Sequence, residues 1–240
     1  MIDWLRREML EPEITLGERT LPIALRRHPR ARRLTLRLAP DGSEVRITMP
    51  GWARSAEAIA FAHARREWLA AQMEKIPMRR SPEPGHAIKI RGVPLVIDWR
   101  ENAARTPSIV NGKVSVGGPI DAIERRLARW LQKQALVLLS EDTAHYCEVA
   151  QLDSVPVSLS RAQKRWGSCS DKKRLRINWR LIQAPDEVRR SVVAHEVAHL
   201  VHFDHSPQFY GLLGEIFEGD LASADKWLKE NGRSLYTQFG

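Results

Sequence analysis

Residues 192–210 read VVAHEVAHLVHFDHSPQFY and place four histidines within eleven positions. On an α-helix, residues at i and i+4 lie on one face, one turn apart. His195 and His199 can therefore each direct a ring nitrogen at one ion about 2.0–2.1 Å away. Glu196 lies beside that face, where its carboxylate can hydrogen-bond a water on the ion more readily than it can bind the ion. This HExxH spacing predicts a helix that carries a catalytic zinc site.

A catalytic zinc site needs a third protein ligand and an open fourth position. His202 shares the helical face, but it lies roughly 10 Å along the axis from His195 at ~1.5 Å per residue, which would place three ligands in a line. His205 is better placed because a Ser-Pro pair follows it. The proline disfavours helical geometry in the serine, and the pair suits the start of a new helix over QFYGLLGEIF. We predict that a turn between about 202 and 206 returns His205 to the ion.

Other interpretations of this stretch remain open on the residues alone. Glu215 or Glu218 could supply the third ligand from the following helix. The histidines could also be satisfied polar residues, or they could form a closed structural zinc site. HExxH followed by a histidine and a Ser-Pro break favours the catalytic site over both of these readings.

The residues before position 119 are rich in short strand patterns. LTLRL (34–38) and VRITM (45–49) alternate around a turn and predict a hairpin. From Ser55, the run AEAIAFAHARREWLAAQMEKI keeps apolar residues at helical spacing and predicts one helix. AIKI, PLVIDW, SIV and KVSV then predict further strands, separated by RG and NG turns.

The remaining residues predict a second arrangement around the histidine motif. Residues 121–150 contain no Gly or Pro and predict one long amphipathic helix. Three strand-like runs follow, VPVSLSRA, KRWGSCS and RLRINWRL, and Pro185 suits the start of the helix that carries HExxH. We therefore predict an α+β fold with a β-rich N-terminal part over 1–118 and a catalytic domain over 119–240.

Charge and composition limit the classes of protein to consider. The net charge of +9 and pI near 10 attract polyanions. Much of the local charge comes from an acid-free stretch containing Arg26, Arg27, Arg30, Arg32, Arg33 and Arg37. Nucleic-acid binding through this basic hairpin is therefore an alternative function, together with a structural zinc site, although basicity alone is a weak signal.

Cysteine content and hydropathy indicate the compartment. Cys147 and Cys169 are too few for a disulfide framework and are interpreted as reduced thiols. No segment approaches the roughly 18 uncharged apolar residues of a membrane span, and the first residues do not form a basic, then apolar, leader. We expect a cytoplasmic protein without membrane contact.

Three motifs resemble one family of peptidases. RWGSCS (165–170), LRINWRLIQAP (175–185) and HEVAHLVHFDHSPQFY (195–210) closely resemble the YgjP-like metallopeptidase family, and SprT-like and WLM proteins are more distantly similar. The basic hairpin, the helix ending in REWL and the closing KWLKENG extend the resemblance over nearly the whole chain. The interval from His199 to His205 equals that of metzincins, but His202 stands where their glycine would be, which argues against that group.

The resemblance implies a zincin-like catalytic domain that hydrolyses peptide bonds. His195, His199 and His205 match the zinc ligands, and Glu196 matches the catalytic acid and base. Zinc would lower the pKa of its bound water towards about 7, while Glu196 takes the proton and later delivers one to the leaving amine. An extended protein or peptide substrate would pair with the strand RWGSCS or LRINWRL.

Overall fold

The first of two compact units, residues 1–78, contains a mixed four-stranded sheet. Its strands are β1 (Glu13–Leu16), β2 (Arg19–Arg27), β3 (Thr35–Leu38) and β4 (Val45–Met49). The order is β1-β2-β4-β3, in which β2 and β4 are parallel and the outer strands are antiparallel to their neighbours. The predicted hairpin is the β3–β4 pair, which places Leu36 opposite Ile47. The computed structural model describes residues 12–39, 41–74 and 80–239.

Two helices pack on this sheet where the sequence predicted one. They are α1 (Ser55–Ala64) and α2 (Arg66–Glu74), and the break between them falls at Arg65. The Arg65 N–H donates to the carbonyl of Ala62, three residues back, because the last turn of α1 tightens there. Ala58, Ala62 and Leu69 are buried in the apolar cluster of this unit.

The second unit, residues 79–240, begins with another four-stranded sheet. Its strands are β5 (Ala87–Ile90), β6 (Val93–Trp99), β7 (Ser108–Val110) and β8 (Lys113–Val116), in the order β5-β6-β8-β7. The predicted RG and NG turns are confirmed. Arg91, Gly92, Asn111 and Gly112 all have positive φ, as a tight two-residue hairpin turn requires.

A long helix and a three-stranded sheet lie next along the chain. Helix α3 (Ile123–Val149) buries Leu127, Leu131 and Leu139 along one face, as predicted from its spacing. The sheet contains β9 (Val157–Ser160), β10 (Gly167–Cys169) and β11 (Leu175–Asn178), in the order β10-β11-β9. Strand β10 pairs antiparallel with β11, and β9 pairs parallel with it.

Three helices complete the second unit. They are α4 (Asp186–Ala198), α5 (Pro207–Ile216) and α6 (Leu221–Asn231). Short 3₁₀ segments occur at Ile120–Ala122, Trp179–Gln183 and Gly232–Tyr236. A buried ion pair fixes α4 to α3, with Arg189 Nε 2.7 Å from Asp142 Oδ2. The helices, the sheets and the β-rich N-terminal part confirm the predicted α+β class.

The predicted boundary between residues 118 and 119 lies inside the second unit. One buried cluster contains Ile97 and Val114 before that point and Leu127 and Leu131 after it. Separate folding of residues 119–240 stays a prediction. Among the helices of the described residues, none has the length and apolar character needed to cross a membrane.

Candidate metal centre

Three imidazoles converge at the end of helix α4. Nε2 of His195 lies 3.2 Å from Nε2 of His199 and 3.2 Å from Nε2 of His205. One ring nitrogen from each of the three histidines lies within 4.8 Å of those of the other two. Metal–nitrogen bonds of about 2.0–2.1 Å in a tetrahedral shell would separate the nitrogens by about 3.3 Å. The spacing of the rings therefore fits one small divalent ion.

The backbone after α4 fixes the tautomer of one imidazole. His199 caps the C-terminus of α4, and its Nδ1 lies 2.9 Å from the carbonyl oxygen of His202. Because a carbonyl can only accept, Nδ1 must donate and therefore carry the proton. The lone pair of His199 is left on Nε2, which is the atom that faces the other two rings. A backbone carbonyl of this kind commonly orients a metal-binding histidine.

The return of the chain towards α4 depends on the Ser-Pro pair, as predicted. Ser206 is the N-cap of α5, where its hydroxyl accepts from the Phe209 N–H at 3.4 Å, and Pro207 occupies the first turn. The Asp204 carboxylate accepts from the Ser206 N–H at 3.2 Å, which closes the turn. This turn places His205 beside the two histidines of the preceding motif.

A buried phenylalanine forms the floor of the three-histidine cluster. Phe209 is fully buried, and its ring stacks on His199 with the centroids 4.5 Å apart. The same ring meets His195 and His205 in edge contacts, each with centroids 4.9 Å apart. Sequence analysis did not identify Phe209 as a site residue. The available signal in the sequence was its position four residues after His205, on the buried face of α5.

The Glu196 carboxylate is buried beside the histidines. Only 6% of the residue is exposed, and Oε2 has no hydrogen-bond partner within the described protein. The backbone N–H of Cys169 donates to the carboxylate. An unpartnered buried carboxylate oxygen is costly, so it marks a position where a ligand or water completes the site.

Gly167 allows strand β10 to approach this carboxylate. A Cβ atom at residue 167 would lie 2.3 Å from Glu196 Oε1 and 2.6 Å from Cδ. No side chain larger than hydrogen fits there without moving the carboxylate or the strand. Gly167 was not predicted as a site residue, because Glu196 is distant from it in sequence and only the fold brings the two residues together.

Burial changes the protonation of two groups in the cluster. Burial, followed by the neighbouring His199 and His205 rings, lowers the pKa of His195 to about 4. The His195 ring is therefore neutral near pH 7, which is the form that binds metal. Burial raises the pKa of Glu196 to about 7, against the opposing effects of the Arg165 charge and the Cys169 N–H.

An open cleft of about 780 Å³ lies over the histidines and Glu196. Strand β10 forms one side, where Ser168 and Cys169 line the cleft. Burial raises the pKa of the Cys169 thiol, and the nearby charge of Glu196 adds to the effect, so the sulfur is not a thiolate nucleophile at neutral pH. On the helical side, the larger apolar side chains that line the cleft are those of Val192, Leu213, Leu221 and Leu228.

The other residues considered in the sequence lie outside the three-histidine cluster. His202 contributes its carbonyl oxygen rather than its ring. Glu218 accepts from the Tyr146 hydroxyl at 2.9 Å and pairs with Arg190 at 2.6 Å, and Glu215 is exposed on α5. Tyr210 is 55% exposed and lines the cleft.

The family of the chain follows from one comparison. A family model described as a YgjP-like metallopeptidase domain matches residues 32–231. The chain belongs to the YgjP-like family. Comparisons with curated proteins and with solved structures found no match. Membership in the YgjP-like family makes the chain a metallopeptidase in general terms, and it implies a metal ion that the three histidines could bind.

Proposed function

We propose that the chain is a zinc-dependent metallopeptidase, with the ion held by His195, His199 and His205 and with Glu196 as general base and acid. The observation that carries this proposal is the convergence of three imidazole nitrogens beside a buried carboxylate with an unpartnered oxygen. Three histidines are a ligand set typical of catalytic zinc, which keeps one position open. No cysteine belongs to this three-histidine cluster, which agrees with a site for hydrolysis.

The chain's own residues supply the proton transfers. A bound Zn²⁺ ion would supply Lewis acidity to the attacking water molecule and to the scissile carbonyl. Oε2 of Glu196, which points to no protein donor, accepts the proton of the water and delivers a proton to the nitrogen of the leaving amine. Gly167 and the Cys169 N–H hold the carboxylate in place for both transfers.

Strand β10 is the proposed docking edge for an extended substrate. Either β10 or β11 could be the substrate edge on the residues alone, but β11 is central in its sheet and β10 is at the edge. Apart from the Cys169 N–H, which donates to Glu196, its free side offers backbone N–H and C=O groups next to that carboxylate. A peptide that pairs there as an added strand would present its backbone carbonyls to the three-histidine cluster.

The apolar corner of the cleft indicates the side chain that such a peptide would carry. This corner consists of Val192, Leu213, Leu221 and Leu228, from three helices. Val192 precedes His195 by three residues on α4, so the corner begins just under one turn, or ~4.5 Å along the helix axis, from the cluster. A large apolar side chain adjacent to the scissile bond would bury its surface there.

The nucleic-acid alternative rests on charge alone. Arg26, Arg30 and Arg32 are exposed in the basic hairpin, but exposure is ordinary for arginine. Arg27 has a structural role instead, since it donates to the carbonyls of Gly51 and Ala53 at 2.8 and 2.7 Å. Reversal of the exposed charges of the hairpin, with Arg27 left intact, would test the alternative; these are Arg26, Arg30, Arg32, Arg33 and Arg37. Unchanged nucleic-acid retention and salt dependence would reject it.

Glu196→Gln tests the proposed function. The amide keeps the size of the carboxylate but cannot accept the proton, so we expect hydrolysis of an unfolded protein substrate to fall by about 10²-fold or more. Zinc content per chain should not change. Glu215→Gln, an exposed glutamate outside the cluster, is the matched control and should behave as the parent. Equal hydrolysis by Glu196→Gln and the parent would reject the role of Glu196.

A further inference from the structure

A groove of about 290 Å³ lies in the first unit, and no residue of the metal centre lines it. We call it the edge groove, after its position beside β3. On the strand side it is lined by Arg33, Leu34, Thr35 and Leu36, and on the helix side by Phe61, Arg65 and Trp68. None of these residues has a role in the proposed peptidase site.

The strand side of the groove is a sheet edge. Strand β3 pairs with β4 on one side only, because it is the last strand in the order β1-β2-β4-β3. Side chains alternate between the two faces of a strand, so Leu34 and Leu36 lie opposite Thr35. A groove that touches all of these consecutive residues must run along the edge, where backbone N–H and C=O groups face outward.

The helix side combines aromatic surface with positive charge. Phe61, Arg65 and Trp68 follow the i, i+4, i+7 spacing of one helical face, which the short break at Arg65 preserves. Trp68 is 46% exposed. Burial of an indole against a ligand is favourable, so this exposed surface is suited to a contact. The Arg65 guanidinium lies 5.8 Å from the Phe61 ring centroid.

The two arginines of the edge groove have no acidic partner within the described protein. Arg33 and Arg65 are both exposed, and neither belongs to an ion pair of the described residues. A guanidinium binds a carboxylate through two parallel N–H donors, which makes it selective for acidic groups. The charge of the groove is thus complementary to an acidic ligand.

We propose that the edge groove binds an extended acidic peptide, which adds to β3 as a fifth strand of the first sheet. Apolar side chains of the peptide that face the helices enter between Leu36 and Trp68. One carboxylate on the same face of the peptide pairs with Arg65, and another carboxylate pairs with Arg33. Main-chain pairing supplies affinity, and the aromatic and arginine contacts supply selectivity. This interaction depends neither on the metal centre nor on peptide hydrolysis.

A single-stranded nucleic acid is the competing partner. It would stack bases on Trp68 and pair phosphates with the arginines, but it would leave the outward N–H and C=O groups of β3 unused. Leu34 and Leu36 also suit apolar side chains better than a phosphate backbone. The sheet edge and the leucines together favour the peptide.

Binding of a fluorescein-labelled peptide in which pairs of leucines alternate with pairs of aspartates, so that both residue types lie on each face of the strand, tests the proposal by anisotropy. The full chain is used in the Glu196→Gln background so that hydrolysis does not consume the probe. Arg65→Glu and Trp68→Ala should each weaken binding by about tenfold or more. The matched controls are Arg66→Glu and Trp52→Ala, since both residues are exposed and neither lines the groove. Both controls should bind as the parent, and circular dichroism would verify folding of each variant.

Backbone methylation of the probe tests strand addition itself. Only every second N–H of an added strand points towards β3. Two probes are compared: one is methylated on the odd-numbered backbone nitrogens and the other on the even-numbered ones. We expect one of them to lose binding and the other to retain it. Equal binding of both methylated probes would overturn the proposal, as would equal effects of the groove and control variants. Tighter binding of a single-stranded oligonucleotide, with loss in Trp68→Ala, would assign the groove to nucleic acid instead.

Discussion

Gly167 controls how closely strand β10 approaches the Glu196 carboxylate. The contact that forbids a Cβ atom is made by the same carboxylate that we propose as the proton acceptor. The Cys169 N–H, two residues later on the strand, donates to that carboxylate. One short strand therefore positions this carboxylate from one side, while helix α4 carries it from the other.

Gly167→Ala should lower peptide hydrolysis by about tenfold or more, because the added Cβ displaces the carboxylate by a distance that matters for proton transfer. Gly214→Ala is the matched control. A Cβ at residue 214 meets no atom within 4 Å, and alanine should stabilise α5 by up to about 1 kcal/mol. Turnover assays and thermal unfolding of both variants check the prediction. Full activity of Gly167→Ala would show that the close approach is unnecessary.

The histidines could be predicted from sequence because their spacing along the chain determines where their side chains lie. His195 and His199 share a helical face by register, and the Ser-Pro pair indicates where His205 must turn back. Gly167 and Phe209 could not be predicted in the same way. Their importance depends on which side chains they contact in the folded chain. The local sequence pattern around each residue does not contain that information.

The turn between α4 and α5 is the element that completes the cluster. It begins where His199 ends the helix, and it closes where Ser206 caps α5 with its hydroxyl. The direction of His205 is therefore coupled to the N-cap of the next helix. A weaker cap should loosen the third imidazole while the two on α4 stay in place.

Ser206→Ala should destabilise the protein by about 1 kcal/mol and also weaken zinc binding. The comparison is Asp220→Ala, which removes the N-cap of α6, where the carboxylate accepts from the Ala222 N–H at 2.9 Å. It should cost similar stability without changing zinc affinity. Chemical denaturation and competition with a zinc chelator measure the two quantities. The same zinc affinity in both variants would contradict the coupling of His205 to the cap.

Element boundaries were predicted less well than element types. The predicted strands of the three sheets and helix α3 follow their apolar patterns, but the helix predicted from Ser55 breaks at Arg65. Likewise, the sequence offered two strands as the substrate edge, and only the sheet order distinguishes β10 from β11. Strand order depends on long-range pairing, so periodicity within one segment cannot specify it.

Across the second unit, charged side chains connect the start of α4 to distant segments. Asp186 accepts from Arg91 Nε at 2.9 Å, and it also bonds Arg189, whose guanidinium reaches Asp142 on α3. Burial would raise the pKa of Asp186, but the hydrogen bonds from Arg91 and Arg189 hold it below its ordinary value. The helix that carries the candidate site is thus fixed at its N-terminus by an ion-pair network.

Asp186→Asn should reduce the free energy of unfolding most at neutral pH. Because the pKa of Asp186 is lowered in the folded chain, its contribution is fully present above the unfolded-state pKa of about 4 and is lost as pH falls through the folded-state value. The difference between parent and variant should shrink on acidification. Urea unfolding at pH 7 and at a series of acidic values measures it. A difference that is constant with pH would contradict the lowered pKa.

The central claim is that His205 is the third zinc ligand, and zinc stoichiometry of purified, zinc-reconstituted chains tests it most directly. The parent should hold one zinc per chain. His202→Ala is the matched control, since His202 contributes only its backbone carbonyl, and it should also hold one. His205→Ala should lose the zinc under the same chelator competition, because two imidazoles on α4 are too few for a catalytic shell. If His205→Ala retained zinc with the affinity of the parent, the proposed metal centre would be wrong.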